Sequence, residues 1–330
     1  MRVAFFRFQD FDRSTVAFVR QTLDETERRI VSVLLASPRA SWRAVGAELG
    51  ISERTVVRRA LPLFQDGTLR ATTVRNPTHF PGLIPMALRI RCTPNRIRAV
   101  AAVLARRADT VAVDIIGGGD EICAQFMLAG TEARNRLLLR DLPATTAVES
   151  WTSYTMLRVF PTAFLWNGLP VKPPFPASHQ VPPTRHDVDD ALIAALTADG
   201  RASYTDLAVL ADTSPITARR RLDALVRGLS LRLAIEVDLG LLGIHGEALL
   251  WLTVAPGDLN ATGEALSQHP LVRFAAATTG RANLLVAVAA ADLAELYGFL
   301  TGGGVDGSVG TEVTPILTTV KRTGLIRAGG

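Results

Sequence analysis

At 330 residues, 48% hydrophobic and 20% charged, the chain can bury a sizeable core and is too apolar for intrinsic disorder. A net charge of +5 suits nucleic acid as a partner without singling it out. Two cysteines, Cys92 and Cys123, sit in apolar runs and exclude a disulfide scaffold, and five histidines without ligand spacing give no metal or cofactor site to expect.

In chain order, residues 1–22 mix Phe5, Phe6 and Phe8 with Arg7, Asp10, Asp12 and Arg13, which suits neither a secretory leader nor a membrane span. The expectation is a cytoplasmic protein with no membrane partner. Residues 23–80 begin with a helix whose inner face carries Ile30, Val33 and Leu34. A short helix over 42–49, a turn at Gly50-Ile51 and a third helix over 52–65 follow, with Ser52 as N-cap. Residues 81–160 read strand 85–92, helix 95–107, strands 110–116 and 122–128, helix 131–142 and strand 148–159. Pro170, Pro173, Pro174, Pro176, Pro182 and Pro183 crowd residues 161–184 into a stiff linker.

The pattern then repeats. Residues 185–243 carry a helix faced by Leu192, Ile193 and Leu196, a short helix over 204–211, a turn at Asp212-Thr213 and a third helix over 214–226, capped by Ser214. Pro215 follows at the first helical position, where a missing N–H does no harm. Residues 244–324 give strand 247–254, helix 259–267, strands 272–278 and 284–289, helix 293–300 and strand 309–320, before a tail over 325–330. Arg39-Ala40-Ser41 returns as Arg201-Ala202-Ser203, and a constant offset also carries Ser52 to Ser214, Thr55 to Thr217, Arg58-Arg59 to Arg220-Arg221 and Gly118 to Gly280. A register held that long marks a duplicated folding unit. The predicted fold is α+β: two winged helix-turn-helix domains and two ferredoxin-like βαββαβ domains in tandem.

Helix, short helix, tight turn and third helix is the sequence form of a helix-turn-helix. Its third helix offers Ser52, Arg54, Thr55, Arg58 and Arg59 in copy one, and Ser214, Thr217, Arg219, Arg220 and Arg221 in copy two. Arginine's planar fork contacts phosphate or guanine bidentately, so these residues are the candidates for double-stranded DNA. A solvated surface helix would also carry arginines, but the duplicated Ser-x-x-Thr-x-x-Arg-Arg spacing behind a turn favours DNA contact.

These residues, from Leu23-Asp24 through Leu69 with Leu49-Gly50-Ile51-Ser52 and Thr55-Val56-Val57-Arg58-Arg59, resemble the winged helix of the leucine-responsive/asparagine-synthetase-type (Lrp/AsnC) transcriptional regulators. The βαββαβ units resemble that family's sensor domain. The resemblance implies a sequence-specific regulator modulated by an amino-acid-like effector, self-associating through its sensor sheets. It places the effector at the hairpin between the second and third sensor strands, which here is Gly118-Gly119-Asp120-Glu121 and Gly280-Arg281-Ala282-Asn283, with Thr152 and Thr314 as companions on the last strands. Glycines that merely turn a hairpin are the plain alternative. Two further readings stay open. Siroheme decarboxylases resemble this chain in duplication and fold, but carry histidine, tyrosine and arginine on the second sensor strand; here that strand is Val111-Ala112-Val113-Asp114-Ile115 or Arg273-Phe274-Ala275-Ala276-Ala277. A sensor or assembly module without DNA binding is the other.

Overall fold

A computed structural model describes residues 22–166 and 183–327; the expected N-terminal extension and most of the Pro-rich linker lie outside them. Each half opens with three helices: α1 (Glu25–Ala36), α2 (Trp42–Leu49) and α3 (Glu53–Gln65), then α7 (Asp189–Ala198), α8 (Tyr204–Leu210) and α9 (Pro215–Arg227). Ser52 and Ser214 cap α3 and α9, each accepting the N–H of the threonine three residues on at 3.1 Å. The turns before them need a left-handed residue, supplied by Gly50 at φ 69° and by Asp212 at φ 46°.

Short strands leave the helices, β1 (Leu69–Arg75) and β6 (Leu231–Val237), and pair antiparallel with each other across the duplication. The sequence pattern had not marked these strands. Ile235 and Val237 of copy two enter the core of copy one's helices, while Thr72 of β1 donates its hydroxyl to the Thr197 carbonyl of α7. Gly200 donates its N–H to the Ala71 carbonyl, and a Cβ there would stand 2.6 Å from the Thr72 nitrogen. Only glycine permits that approach.

The sensor strands of copy one are β2 (Leu83–Cys92), β3 (Thr110–Ile116), β4 (Glu121–Ala129) and β5 (Val148–Val159), with helix α4 (Ile97–Arg106) and α5, which runs Gly130–Arg136 and continues as a wider turn over Leu137–Asp141. After a one-turn α6 (Thr162–Leu165), copy two supplies β7 (Gly246–Val254), α10 (Leu259–Gln268), β8 (Val272–Thr278), β9 (Leu284–Ala290), α11 (Leu293–Thr301) and β10 (Ser308–Arg322). The expected tail is partly strand: β11 (Leu325–Ile326) pairs back on β10.

The sheets do not stay separate. β5 pairs with β2 up to Thr155 and then with β8 of the other copy, and β10 pairs with β7 up to Pro315 and then with β3. The order β10-β3-β4-β2-β5-β8-β9-β7, with β10 also bonded to β7, closes eight strands into a ring. Ring closure gives each of those strands two neighbours, although β5 and β10 meet theirs along successive halves. Period-two alternation decides what each face holds. Met86, Leu88 and Ile90 face the copy-one helices, and Leu250, Leu252 and Val286 face those of copy two. Ala87, Cys123, Tyr154, Met156, Leu249, Trp251 and Ala287 fill the space between the sheets. Alanine opposite large aromatics is what lets the Tyr154 and Trp251 rings meet at 4.9 Å. Both cysteines are buried and unbridged, and burial pushes the Cys92 thiol up to about 11. Pairing of sensor sheets thus takes place within one chain.

Candidate nucleic-acid interface

The two helix-turn-helix units are clamped by the residues that first betray the repeat. Arg39 donates to the carbonyls of Gly200 and Ala202 at 2.8 and 2.7 Å, and Arg201 donates to those of Pro38 and Ala40 at 2.6 and 2.8 Å. Each guanidinium also lies over an aromatic ring of the other copy, Arg39 over Tyr204 and Arg201 over Trp42. Burial, then the neighbouring Arg39 charge, holds the Arg201 pKa below its ordinary value. Sequence reading noticed these arginines as repeat markers and missed their work.

On this clamped pair, α3 and α9 present unequal faces. Arg54 and Arg58 are exposed on α3, and Arg43 is exposed on α2. On α9, Arg219 and Arg220 are exposed; Arg219 lies 4.0 Å from Asp223 and over the Tyr204 ring. The capping serines share their hydroxyls with Thr55 and Thr217 at 2.9 Å, so these four residues shape the helix starts. The conserved spacing misleads at its last position. Arg59 pairs with Asp24 at 2.9 Å, with both side chains about half exposed. Arg221 forks onto both oxygens of Asp189 at 3.0 and 2.8 Å and donates to the Thr184 carbonyl, with Asp189 1% exposed. Arg221 therefore holds α9 to α7 inside its own domain and is not on the open face.

The sensor hairpins dock on the opposite copy. Gly117 donates its N–H to Pro315 of β10, and a Cβ on it would lie 3.6 Å from the Thr314 methyl. Thr279 donates its N–H to the Thr155 carbonyl of β5, and its hydroxyl accepts the Thr155 N–H. Positive φ at Gly117, Gly119 and Gly280 makes these turns, while Gly118 is simply exposed. The acidic groups are already engaged. Glu121 accepts from Arg89 at 2.6 Å; Arg89 also reaches Glu312 of copy two at 2.6 Å and stands over Trp251. The Arg89 bond holds the Glu312 carboxyl below its usual range. Asp120 pairs with Arg91 at 3.2 Å, and Asn283 ties off both backbone groups of Val254 at 2.8 Å. Arg281 is exposed and Thr314 is buried with its hydroxyl unpartnered. Thr152 and Thr314 are not equivalent: Thr152 opposes Arg89, whereas the residue opposing Trp251 is Glu312. Copy two is shorter by two residues before its last strand, a slip invisible without the pairing.

A buried charged cluster, also missed from sequence, joins the sensors to the second helix-turn-helix. Arg322 contacts Glu247 at 2.5 Å, Arg327 contacts Glu236 of β6 at 3.2 Å, and Thr319 donates to Asp114 at 2.7 Å. Burial raises the Asp114 pKa despite Arg322 and Arg273 nearby. Among the described residues, no group of three or more His, Cys, Asp or Glu is arranged to hold a metal, and no helix is long and apolar enough to cross a membrane.

Comparison with known proteins agrees with this architecture. A model of the AsnC-type helix-turn-helix domain matches residues 23–61 and again 187–226, and a model of the Lrp/AsnC ligand binding domain matches residues 247–326. Uncharacterised HTH-type transcriptional regulators of Pyrococcus horikoshii and Pyrococcus abyssi are each 29% identical over 144 residues, covering 43% of this chain and 90% of theirs. Among solved structures, the siroheme decarboxylase NirDL aligns with 90% of this chain and 93% of its own, at a TM-score of 0.56 and 11% identity, a likeness of fold. The chain thus carries two AsnC-type helix-turn-helix domains and a Lrp/AsnC ligand binding domain in one polypeptide.

Proposed function

We propose that this protein is a sequence-specific transcriptional regulator acting in the cytoplasm, in which one polypeptide supplies both reading heads of a DNA-binding pair. The observation that carries this reading is the clamp: β1 against β6 and Arg39 against Arg201 hold α3 and α9 in one body with their capped N-termini and arginines exposed. Arg54, Arg58, Arg219 and Arg220 are the residues we assign to phosphate and base contact, with Ser52, Thr55, Ser214 and Thr217 presenting the helix starts. The ligand binding domain supports control by a small molecule. At the hairpins such a ligand would have to displace the bonds that Arg89 makes to Glu121 and Val254 makes to Asn283, so we read the hairpins as locks between copies.

Fluorescence anisotropy on duplex DNA across a salt series tests the reading. Arg58→Ala with Arg220→Ala should weaken binding and flatten the log-affinity against log-salt slope by roughly one unit for each lost phosphate contact. Unchanged affinity and slope would reject these helices as readers.

The likeness to NirDL over nearly the whole chain favours one second reading, a tetrapyrrole-processing enzyme. Against it, β3 and β8 carry no histidine for acid chemistry. Purified protein that acquires tetrapyrrole absorbance and decarboxylates siroheme would establish the enzyme in place of the regulator.

A further inference from the structure

The sensor copies diverge beside the outer helix of each domain. In copy one that corner is filled: Arg107 donates to Asp109 at 2.8 and 2.9 Å and to Asp141 at 3.3 Å, with its guanidinium over the Phe126 ring. Backbone bonds identify the equivalent positions in copy two. The Met127 N–H donates to the Asp109 carbonyl as that of Ala289 does to Leu271, and the Leu142 N–H donates to Leu137 as that of Gly304 does to Phe299. By this correspondence Arg107, Asp109, Met127 and Arg136 become His269, Leu271, Ala289 and Gly298, while Asp141 and Leu142 become Gly303 and Gly304. Long or charged side chains give way to glycine, alanine and a ring.

The result is a cavity of about 680 Å³ between α11, the approach to β8 and the segment leaving the second helix-turn-helix. That volume lies in the range of small-molecule sites. Its walls are apolar and aromatic, with Trp166, Leu242, Ile244, Leu271 and Phe299 contributing. Two built features fix its chemistry. The His269 ring stands edge-on to Phe299 at 4.6 Å, its Nδ1 accepting the Leu271 N–H. Glu295 is anchored at the rim by accepting the Ala291 N–H at 2.6 Å. Among the described residues no lysine or arginine lines the space, and the carbonyl end of α11, with Gly302, Gly303 and Gly304 along the wall, adds partial negative charge. A carboxylate ligand would face the Glu295 carboxylate and these carbonyls, whereas a protonated amine gains a charge-assisted bond from Glu295.

We propose that this cavity, present in the second sensor copy and filled in the first, is a binding site for a small aromatic amine, its ring against Trp166 and Phe299 and its ammonium on Glu295. Saturation-transfer NMR with phenethylamine and tryptamine at millimolar concentration tests it on the full chain, with phenylacetate as the probe of opposite charge. Both amines should give saturable binding and phenylacetate none. Glu295→Gln keeps the cap on α11 and should weaken the amines roughly tenfold. Gly298→Trp should abolish binding; a Cβ there meets nothing within 4 Å, so the ring enters the cavity without moving backbone. If that variant melts early, Ala289→Met, which restores copy one's residue, makes the same test. No saturable amine binding, equal binding of phenylacetate, or amine binding undiminished when the cavity is filled would each overturn the proposal.

Discussion

Arg59 and Arg221 stand at equivalent positions on α3 and α9, yet the first is half exposed beside a half-exposed Asp24, while the second is forked onto the buried Asp189. The reason lies one helix earlier. In copy one Glu27 turns back onto the N–H of Asp24 in a capping box, leaving the Asp24 carboxylate on the surface as the partner for Arg59. In copy two the position of Glu27 is held by Asp189, whose shorter side chain stays under α9 and accepts both the His186 N–H and Arg221. A repeated residue need not keep a repeated role. The outer faces diverge in the same way: Ala47, Glu48 and Arg54 in copy one are replaced by Val209, Leu210 and Ile216, which are 77%, 63% and 81% exposed. At these three positions copy one is charged or small and copy two apolar, while Arg219 and Arg220 keep charge on the α9 face.

The sharpest break between copies should be in stability. Asp189→Ala strands a buried arginine and should lower unfolding free energy by about 3–5 kcal/mol. Arg59→Ala removes a half-exposed pair and should cost less than about 1 kcal/mol. Urea melts of the two variants compare them directly, and equal losses would mean that Arg221 is not structural. Next comes the clamp. Arg39→Ala or Arg201→Ala removes two charge-assisted backbone bonds and a ring contact, so each should destabilise by about 2 kcal/mol or more. Each should also weaken DNA binding by loosening α3 from α9, although neither arginine is on the reading face; affinity that holds while stability falls would separate the clamp from function. The smallest effects should lie at Arg54 and Ile216. Arg54→Ala should flatten the salt slope, whereas Ile216→Ala should lower affinity at an unchanged slope, because an apolar contact to a thymine methyl releases no counterion. Parallel slopes for both variants would remove the distinction between the two faces.

Much of this was legible in the sequence because it is governed locally. Ser52, Gly50 and Asp212 announce caps and turns through their own side-chain and backbone chemistry, and the strand–helix order follows from hydrophobic period. What escaped is governed by pairs far apart in the chain. β1 meets β6 more than a hundred residues on, and the crossing of β5 to β8 depends on which strand lies beside it. Arg89 looked like an ordinary strand residue, and only the ring closure brings it to Glu121 and Glu312 together. That contact engages Glu121, one of the hairpin residues that the resemblance assigns to the effector. The two-residue shortening before β10 likewise misaligned Thr314 with Thr152, since a constant offset had no reason to break until strand pairing was known.

Selecting binding sites from random duplexes, with the stoichiometry of the winning complexes measured, tests the central claim most directly. If one chain carries both reading heads, the selected sites should contain two unlike half-sites about one helical turn apart, bound by a single chain. The half under α3 should be sensitive to Arg54 and Arg58, and the half under α9 should prefer thymine near Ile216. Strict palindromes bound by two chains would contradict the account, because like helices from different molecules would then be doing the reading.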